Sequence, residues 1–269
     1  NGIDHGVIRR YLPSVVKYSR REDTQVIVAD NGSTDDSIKV LQEEFPSVRI
    51  ITLDKNYGFA QGYNLAIQQV DTKYCILLND DVRVTEHWLE PMLAYMESNP
   101  NTGALQPKLL SDRQKESFEY AGAAGGYLDM FGYPYCRGRI FDVVEKDLGQ
   151  YDNVSNIMWA TGACLMIRTE LYRKAGGLDD HFFAHMEEID LCWRIRNLGY
   201  DIVCIPDSKV YHYGGASLAM GDPRKTKLNF RNSLLMLYKN LPLEKRNSII
   251  FSRMLLDGVA ALNFLLHGQ

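Results

Sequence analysis

Three short apolar runs in the first third of the chain each break off at a polar turn, with amphipathic segments between them. Gln25-Val26-Ile27-Val28-Ala29 ends at Asp30-Asn31-Gly32-Ser33. Val48-Arg49-Ile50-Ile51-Thr52-Leu53 ends at Asp54. Tyr74-Cys75-Ile76-Leu77-Leu78 ends at Asn79-Asp80-Asp81. Runs of this length bounded by turn residues read as buried strands. The segments around them read as helices: one through Tyr18, then Thr34 to Phe45, Gly58 to Val70, and Glu86 to Ser98. Strand–helix alternation at this spacing predicts an α/β fold with a mostly parallel sheet, right-handed crossovers and flanking helices. In open sheets of that kind ligands bind at the carboxyl ends of the strands. Asp30, Asn79, Asp80 and Asp81 all fall there.

At 269 residues with 45% hydrophobic content, the chain can bury a sizeable core and reads as one elaborated domain. Its net charge of −4 argues against a nucleic-acid surface, so no nucleic-acid partner is expected. The cysteines, Cys75, Cys136, Cys164, Cys192 and Cys204, are odd in number and scattered. They read as reduced core thiols of a cytoplasmic protein. No signal peptide is visible, and no apolar run reaches the ~18 residues of a membrane span.

From Gly103 to Asp152 the chain is rich in Gly, Tyr and Phe, which predicts long loops with short strands, a wall for a cleft. Alternation returns with a strand over Ala163–Ile167, helices over Thr169–Ala175 and Glu187–Leu198, and a strand over Asp201–Ile205. Two helices, about Leu228–Asn240 and Leu243–His267, close the chain. This divides it into a domain over 1–227, whose two halves meet at about 110–111, and a helical extension over 228–269. A nucleotide-binding domain of this type opens with a strand, whereas this chain opens with Asn1-Gly2. A central strand is therefore expected to precede Asn1.

Four clusters carry candidate chemistry. Asp30 and Asn31 can accept or donate hydrogen bonds to a base or ribose, although turn and capping chemistry accounts for Ser33, Thr34 and Asp35. In the loop from Asp54 to Asn64, Gly58 and Gly62 allow close approach near a helix start, where free N–H groups point outward. Asn79-Asp80-Asp81 sets adjacent acids on a short turn, where they repel unless a cation or strong donors intervene. Mg²⁺ or Mn²⁺ suits such oxygen ligands and leaves positions for phosphates. His185-Met186-Glu187-Glu188-Ile189-Asp190 opens a helix with three acids, which the dipole alone can stabilise. Burial and like charge can equally raise one of them into a general base. His212, at a strand end beside Gly214-Gly215, is a candidate metal ligand.

In this order the clusters resemble a family 2 inverting glycosyltransferase with the GT-A fold, from about Asn1 to Tyr238. The resemblance implies that 1–227 is a catalytic domain, with a nucleotide-binding half to about 110 and an acceptor half from about 111. The nearest likeness is to the rhamnosyltransferase-like proteins of bacterial surface-polysaccharide assembly. In such proteins the first strand ends Asn-Trp-Asn-Gly, and Asn1-Gly2 resembles that tail. The resemblance implies that Asp30 and Asn31 read the nucleotide base, and that Asn56, Gly58 and Asn64 form the N-x-G-x-x-x-x-x-N nucleotide loop. It places Asn79-Asp80-Asp81 at the Asp-x-Asp position. Asp81 and His212 then hold the metal, Asn79 stands toward the ribose, and Asp80 joins the donor site. Glu188 matches the catalytic base, one methylene longer than the usual Asp, with Glu187 beside it. Trp159-Ala160-Thr161-Gly162-Ala163 resembles the acceptor-side segment, so Trp159, Thr161, Gly162 and Glu187 are assigned there. The Gln-x-x-Arg-Trp of processive synthases is absent, implying single or limited addition. The implied donor is a nucleoside diphosphate sugar, weakly dTDP-rhamnose. The implied acceptor is a glycan or a lipid-linked sugar, and the implied location is the cytoplasm or the inner face of the cell membrane.

Two other classes compete. A nucleotidyltransferase would carry a Gly-rich basic loop such as G-x-G-x-R, which this chain does not show. A non-catalytic nucleotide-sugar-binding scaffold would not need all four clusters. In the last helix, Ile250, Phe251, Met254, Leu255, Val259, Ala261, Leu262, Leu265 and Leu266 share one broad arc. That arc suits packing on the catalytic domain or a homodimer interface. It also suits an interfacial helix touching lipid.

Overall fold

A computed structural model describes residues 5–214 and 223–266. Helix α1 (His5–Tyr18) precedes β1 (Ile27–Asp30), α2 (Ser37–Glu44), β2 (Arg49–Thr52), α3 (Gly58–Ile67), β3 (Tyr74–Leu78), β4 (Val82–Val84) and α4 (Leu89–Ser98). The centre holds β5 (Thr102–Ser111), then β6 (Gly126–Leu128), β7 (Pro134–Cys136), β8 (Arg139–Ile140), β9 (Val143–Val144) and β10 (Ser155–Ile157). The remainder is β11 (Cys164–Arg168), α5 (Thr169–Lys174), α6 (Glu187–Asn197), β12 (Asp201–His212), α7 (Pro223–Asn240) and α8 (Leu243–Leu266).

The main sheet runs β10-β12-β5-β11-β3, with β4 joining β12. It is mixed rather than mostly parallel: β12 lies parallel to β5, while β3, β4 and β10 pair antiparallel with their neighbours. β1 and β2 form a separate parallel pair. Among the described residues, neither β1 nor β3 pairs a second strand along its other edge. The strand expected ahead of Asn1 lies outside those residues.

One element departs from the reading of the middle. β5, TGALQPKLLS, is a ten-residue strand at the sheet centre, buried along nearly its whole length. Gly103, Pro107 and Lys108 disguise it as a loop. Gly103 is required because a Cβ there would meet Ile195 and Leu171 at 2.7 Å. Pro107 costs a ladder bond, and the register against β12 shifts between Ile205 and Lys209. The buried Lys108 ammonium is held by Asp147 at 2.9 Å and by Asp152. β12 likewise extends seven residues past its expected end to His212, because pairing with β5 and β4 carries it there.

α8 also differs from expectation. It is long and apolar enough to cross a membrane, which an uninterrupted-run criterion misses because Arg253 and Asp257 interrupt the sequence. Those two charges neutralise each other at 3.3 Å and turn toward the domain. Arg253 is 1% exposed, lies 3.5 Å above the Tyr133 ring and donates to the Phe131 carbonyl. Asp257 accepts from the Tyr133 hydroxyl at 2.7 Å. Phe251, Met254, Leu255, Val259, Leu262, Leu265 and Leu266 face solvent. The apolar arc is therefore the one that does not pack on the domain.

Candidate functional site

The end of β3 and the end of β12 meet. Antiparallel pairing sets His212 opposite Val82, so the Asn79-Asp80-Asp81 turn lies beside the histidine. Asp81 Oδ1 is 3.0 Å from His212 Nε2, and both residues are buried. Asp81 Oδ2 accepts from the Gly214 N–H at 3.1 Å, while the Asp81 carbonyl accepts from Tyr213. On the far side of the ring, His212 Nδ1 lies 3.2 Å from Glu119 Oε1, close but not aligned for a hydrogen bond. Burial pulls the imidazolium down, but two flanking carboxylates outweigh it and push His212 up to about 10. Burial raises Asp81 too, and its hydrogen bond to His212 more than reverses this, leaving it below its ordinary value. Asn79 Nδ2 approaches His212 Nε2 at 3.4 Å. Asp80 is exposed.

This set fits a divalent cation. It offers a carboxylate oxygen and an imidazole nitrogen side by side, with a second carboxylate behind the ring. Such an outer carboxylate orients a metal-bound histidine and raises its basicity. Glu119 comes from the Gly/Tyr-rich middle and has no readable motif. Its position follows from the strand end at Ser111 and a backbone bond from Glu119 N to Leu109 O.

The second half of the site is the start of α6. Glu187 is 5% exposed and Glu188 half-buried, and each has one oxygen without a partner. Burial raises both carboxyls; the neighbouring Glu188 charge raises Glu187 further, and backbone N–H groups including that of Gly162 oppose the rise at Glu188. Gly162 joins the two halves. Its next residue, Ala163, accepts from the Asn79 N–H at 3.0 Å, and a Cβ built on Gly162 would lie 3.7 Å from Glu188 Cβ. The cation turn and the acidic helix start are thus separated by two residues of one segment.

Asp30 and Asn31 form a third part. Asp30 is buried, with Oδ1 accepting from Ser33 N at 3.1 Å and Oδ2 without a partner. Asn31 Nδ2 donates to Gly58 O at 2.9 Å and to Asn56 Oδ1, and its Oδ1 accepts from Tyr57 N. This draws the two loops together so tightly that a Cβ at Gly32 would sit 2.5 Å from Lys55 C. Gly32 and Gly58 both have positive φ, 73° and 76°.

Three predicted residues stand elsewhere than expected. Asn64 uses both ends of its amide internally: Nδ2 donates to Leu178 O, and Oδ1 accepts from Tyr172 Oη and Leu178 N. It ties α3 to the turn ahead of α6 and does not reach out to a ligand. Trp159 is buried, its indole N–H donates to Tyr127 O, and its ring lies where a Gly126 Cβ would be. Thr161 is also buried, its N–H bonded to Gln106. Both are structural residues inside the domain, whereas a Cβ built on Gly162 would lie 3.7 Å from Glu188 Cβ. A different ligand-type group, Asp179, Asp180 and His181, clusters at a 3₁₀ turn. It is largely exposed, and Lys239 already pairs Asp179 at 2.7 Å.

Fold and site together define a glycosyltransferase of the GT-A type. The match to glycosyl transferase family 2 covers residues 5–175, and the chain belongs to that family. It is 25% identical over 224 residues to an N-acetylglucosaminyl-diphospho-decaprenol L-rhamnosyltransferase of Mycobacterium tuberculosis (strain CDC 1551 / Oshkosh), covering 77% of this chain and 71% of that one. It is 23% identical over 243 residues to the dTDP-rhamnosyl transferase RfbF of Shigella flexneri, covering 85% and 76%. In fold it is similar to a mannosyltransferase from Pyrobaculum calidifontis, solved with GDP-Man and Mn²⁺, with a TM-score of 0.62, 14% identity, and coverage of 100% and 77%. It is also similar to GalNAc-T7, solved with UDP, GalNAc and Mn²⁺, with a TM-score of 0.66 and 16% identity. There it covers 86% of this chain but spans only 45% of that one.

Proposed function

We propose that this chain is an inverting, cation-dependent transferase that moves a sugar, dTDP-rhamnose being the favoured donor, onto a glycan or lipid-linked acceptor. The observation that carries the reading is the joining of a buried Asp–His–Glu set to the acid pair of Glu187 and Glu188 through Gly162 and Ala163. Glu188 takes the proton of an acceptor hydroxyl. The acceptor oxygen attacks the anomeric carbon from the face opposite the diphosphate. The C–O bond to phosphate breaks, and the nucleoside diphosphate leaves with the bond's electron pair. A general base works best when its pKa lies near the operating pH, and burial moves Glu188 in that direction. Asp81 and His212 would hold Mg²⁺ or Mn²⁺, whose charge offsets that of the departing diphosphate. Asp30, with its unpartnered oxygen, suits the imide N–H of a pyrimidine, and Asn31, Asn56 and Gly58 shape the loop beside it.

The outward apolar face of α8 supports peripheral contact with a bilayer. Lys245 is exposed at the helix start, and Arg246 lies beside it on the Tyr238 ring, next to that face.

A thermal-shift screen of nucleoside diphosphates and nucleotide sugars, with and without Mn²⁺ or Mg²⁺, tests the donor site, because a native-state ligand raises the melting point by mass action. The expected result is a cation-dependent rise with dTDP or UDP, little with purine nucleotides, and loss of the cation-dependent part in Asp81→Ala. A cation-dependent rise that survives Asp81→Ala removes Asp81 from the site.

A further inference from the structure

The turn leading into α6 holds backbone that side-chain-bearing residues avoid. Phe183, His185 and Met186 have φ of 65°, 70° and 77°, and Glu187 follows at once. Conformations of this kind persist only where the surroundings over-determine them. The carbonyls of this turn point inward and need donors. They converge on one residue of α7. Asn232 is fully buried, and its Nδ2 lies 2.8 Å from the carbonyl oxygens of Phe182, Ala184 and His185. Its Oδ1 accepts from Arg231 Nε at 2.9 Å, which fixes which way the amide faces. Arg231 also donates to His181 O and Phe182 O.

A second grip lies one turn into α6. Asp190 is fully buried; its Oδ1 accepts from Asn240 at 2.7 Å, and its Oδ2 from Lys239 and Arg194 at 2.8 Å each. α7 therefore holds the stretch carrying Glu187 and Glu188 from both sides. Glu188 has an oxygen with no partner of its own. The other side of that carboxylate faces the backbone N–H groups of Glu188, Ile189 and Gly162, so its direction follows where the backbone starts the helix.

We propose that Asn232 is a positioning residue for Glu188: by binding three carbonyls of the strained turn it sets where α6 begins and where its carboxylate points. This rests on the reading of Glu188 as the base. Without the amide, the turn relaxes toward negative φ and the first helical turn rotates.

The test is steady-state dTDP release from dTDP-rhamnose by the full chain, with water as the acceptor of the sugar where no glycan is added. It compares Asn232→Ala and Asn232→Asp, alone and combined with Glu188→Gln. Asn232→Ala is expected to lower kcat by roughly 10- to 100-fold, with donor KM nearly unchanged, as a small misplacement of a reacting group does. Asn232→Asp is expected to be worse, since a carboxylate then faces three carbonyls. In the Glu188→Gln background, Asn232→Ala is expected to add nothing to the residual rate. Unchanged kcat in Asn232→Ala, or losses that multiply in the double variant, overturn the proposal. Should Asn232→Ala fail to fold, Arg231→Leu frees the amide while leaving it in place, and its kcat decides by the same criterion. Intact turnover in Glu188→Gln alone would remove the base assignment itself. A silent Glu188→Gln beside normal Asn232 variants would overturn this inference only.

Discussion

Glu188 joins a raised pKa to an unpartnered oxygen beside Gly162, and these two features argue for a base rather than a helix cap. Glu188→Gln keeps size and shape but cannot accept a proton. Its expected effect is a loss of roughly 10²–10⁴-fold in kcat with donor affinity retained. Nucleotide titration alongside turnover checks this, and a variant that loses both equally points to a binding role. Asp81, His212 and Glu188 can be singled out in the sequence because each is a titratable residue at a strand or helix end, although the dipole accounts equally for acids at the start of α6. Asn64 and Trp159 carried the right residue types at the right spacing. Their polar atoms are nonetheless taken up by Leu178, Tyr172 and Tyr127, partners remote in sequence. Glu119 and Asn232 were not legible, since the contacts that bring them to the site are with residues more than 45 positions away.

Among the elements, α8 departs furthest from ordinary packing. A helix on a globular domain buries its apolar stripe, whereas α8 buries Arg253 and Asp257 and exposes the stripe. Exposed apolar surface of that extent marks an interaction face. The expected outcome is co-flotation of the chain with liposomes containing anionic lipid, and its loss in Leu255→Glu/Leu262→Glu, whose side chains are both more than half exposed. Absence of flotation in the unaltered chain, with a dimer in sedimentation, would assign the face to a second copy. α7 was expected to begin a separate extension. Its Arg231, Asn232, Lys239 and Asn240 instead reach the strained turn and the buried Asp190. Periodicity announces a helix but not the polar partners its buried face will find.

Over the whole molecule, the buried titratable groups set the pH dependence of stability. Glu187 and Glu188 have folded pKa values above the ordinary Glu value of 4.5, and His212 stands above 6.5. A group raised on folding binds its proton more tightly in the native state. Its contribution is full below the unfolded pKa and is lost as pH rises through the folded one. The melting temperature is therefore expected to fall as pH rises from about 5 toward about 9, and Glu187→Gln is expected to flatten the lower part of that fall. A melting curve that is level over this range, or that rises, contradicts the buried state of the pair.

The alternation of β1, β2 and β3 with α2, α3 and α4, the acidic turns that end the strands, and the acid-rich start of α6 were all determined by local sequence. Hydrophobic period and turn chemistry act over a few residues, and the family resemblance rides on the same positions. Only the tertiary structure decided that the main sheet is mixed, that TGALQPKLLS is its central strand, and that Glu119 stands behind His212. It alone decided that α7 clamps the turn before Glu188. Each of these depends on burial and on hydrogen-bond partners brought together from distant parts of the chain, where Gly, Pro and Lys lose their local meaning.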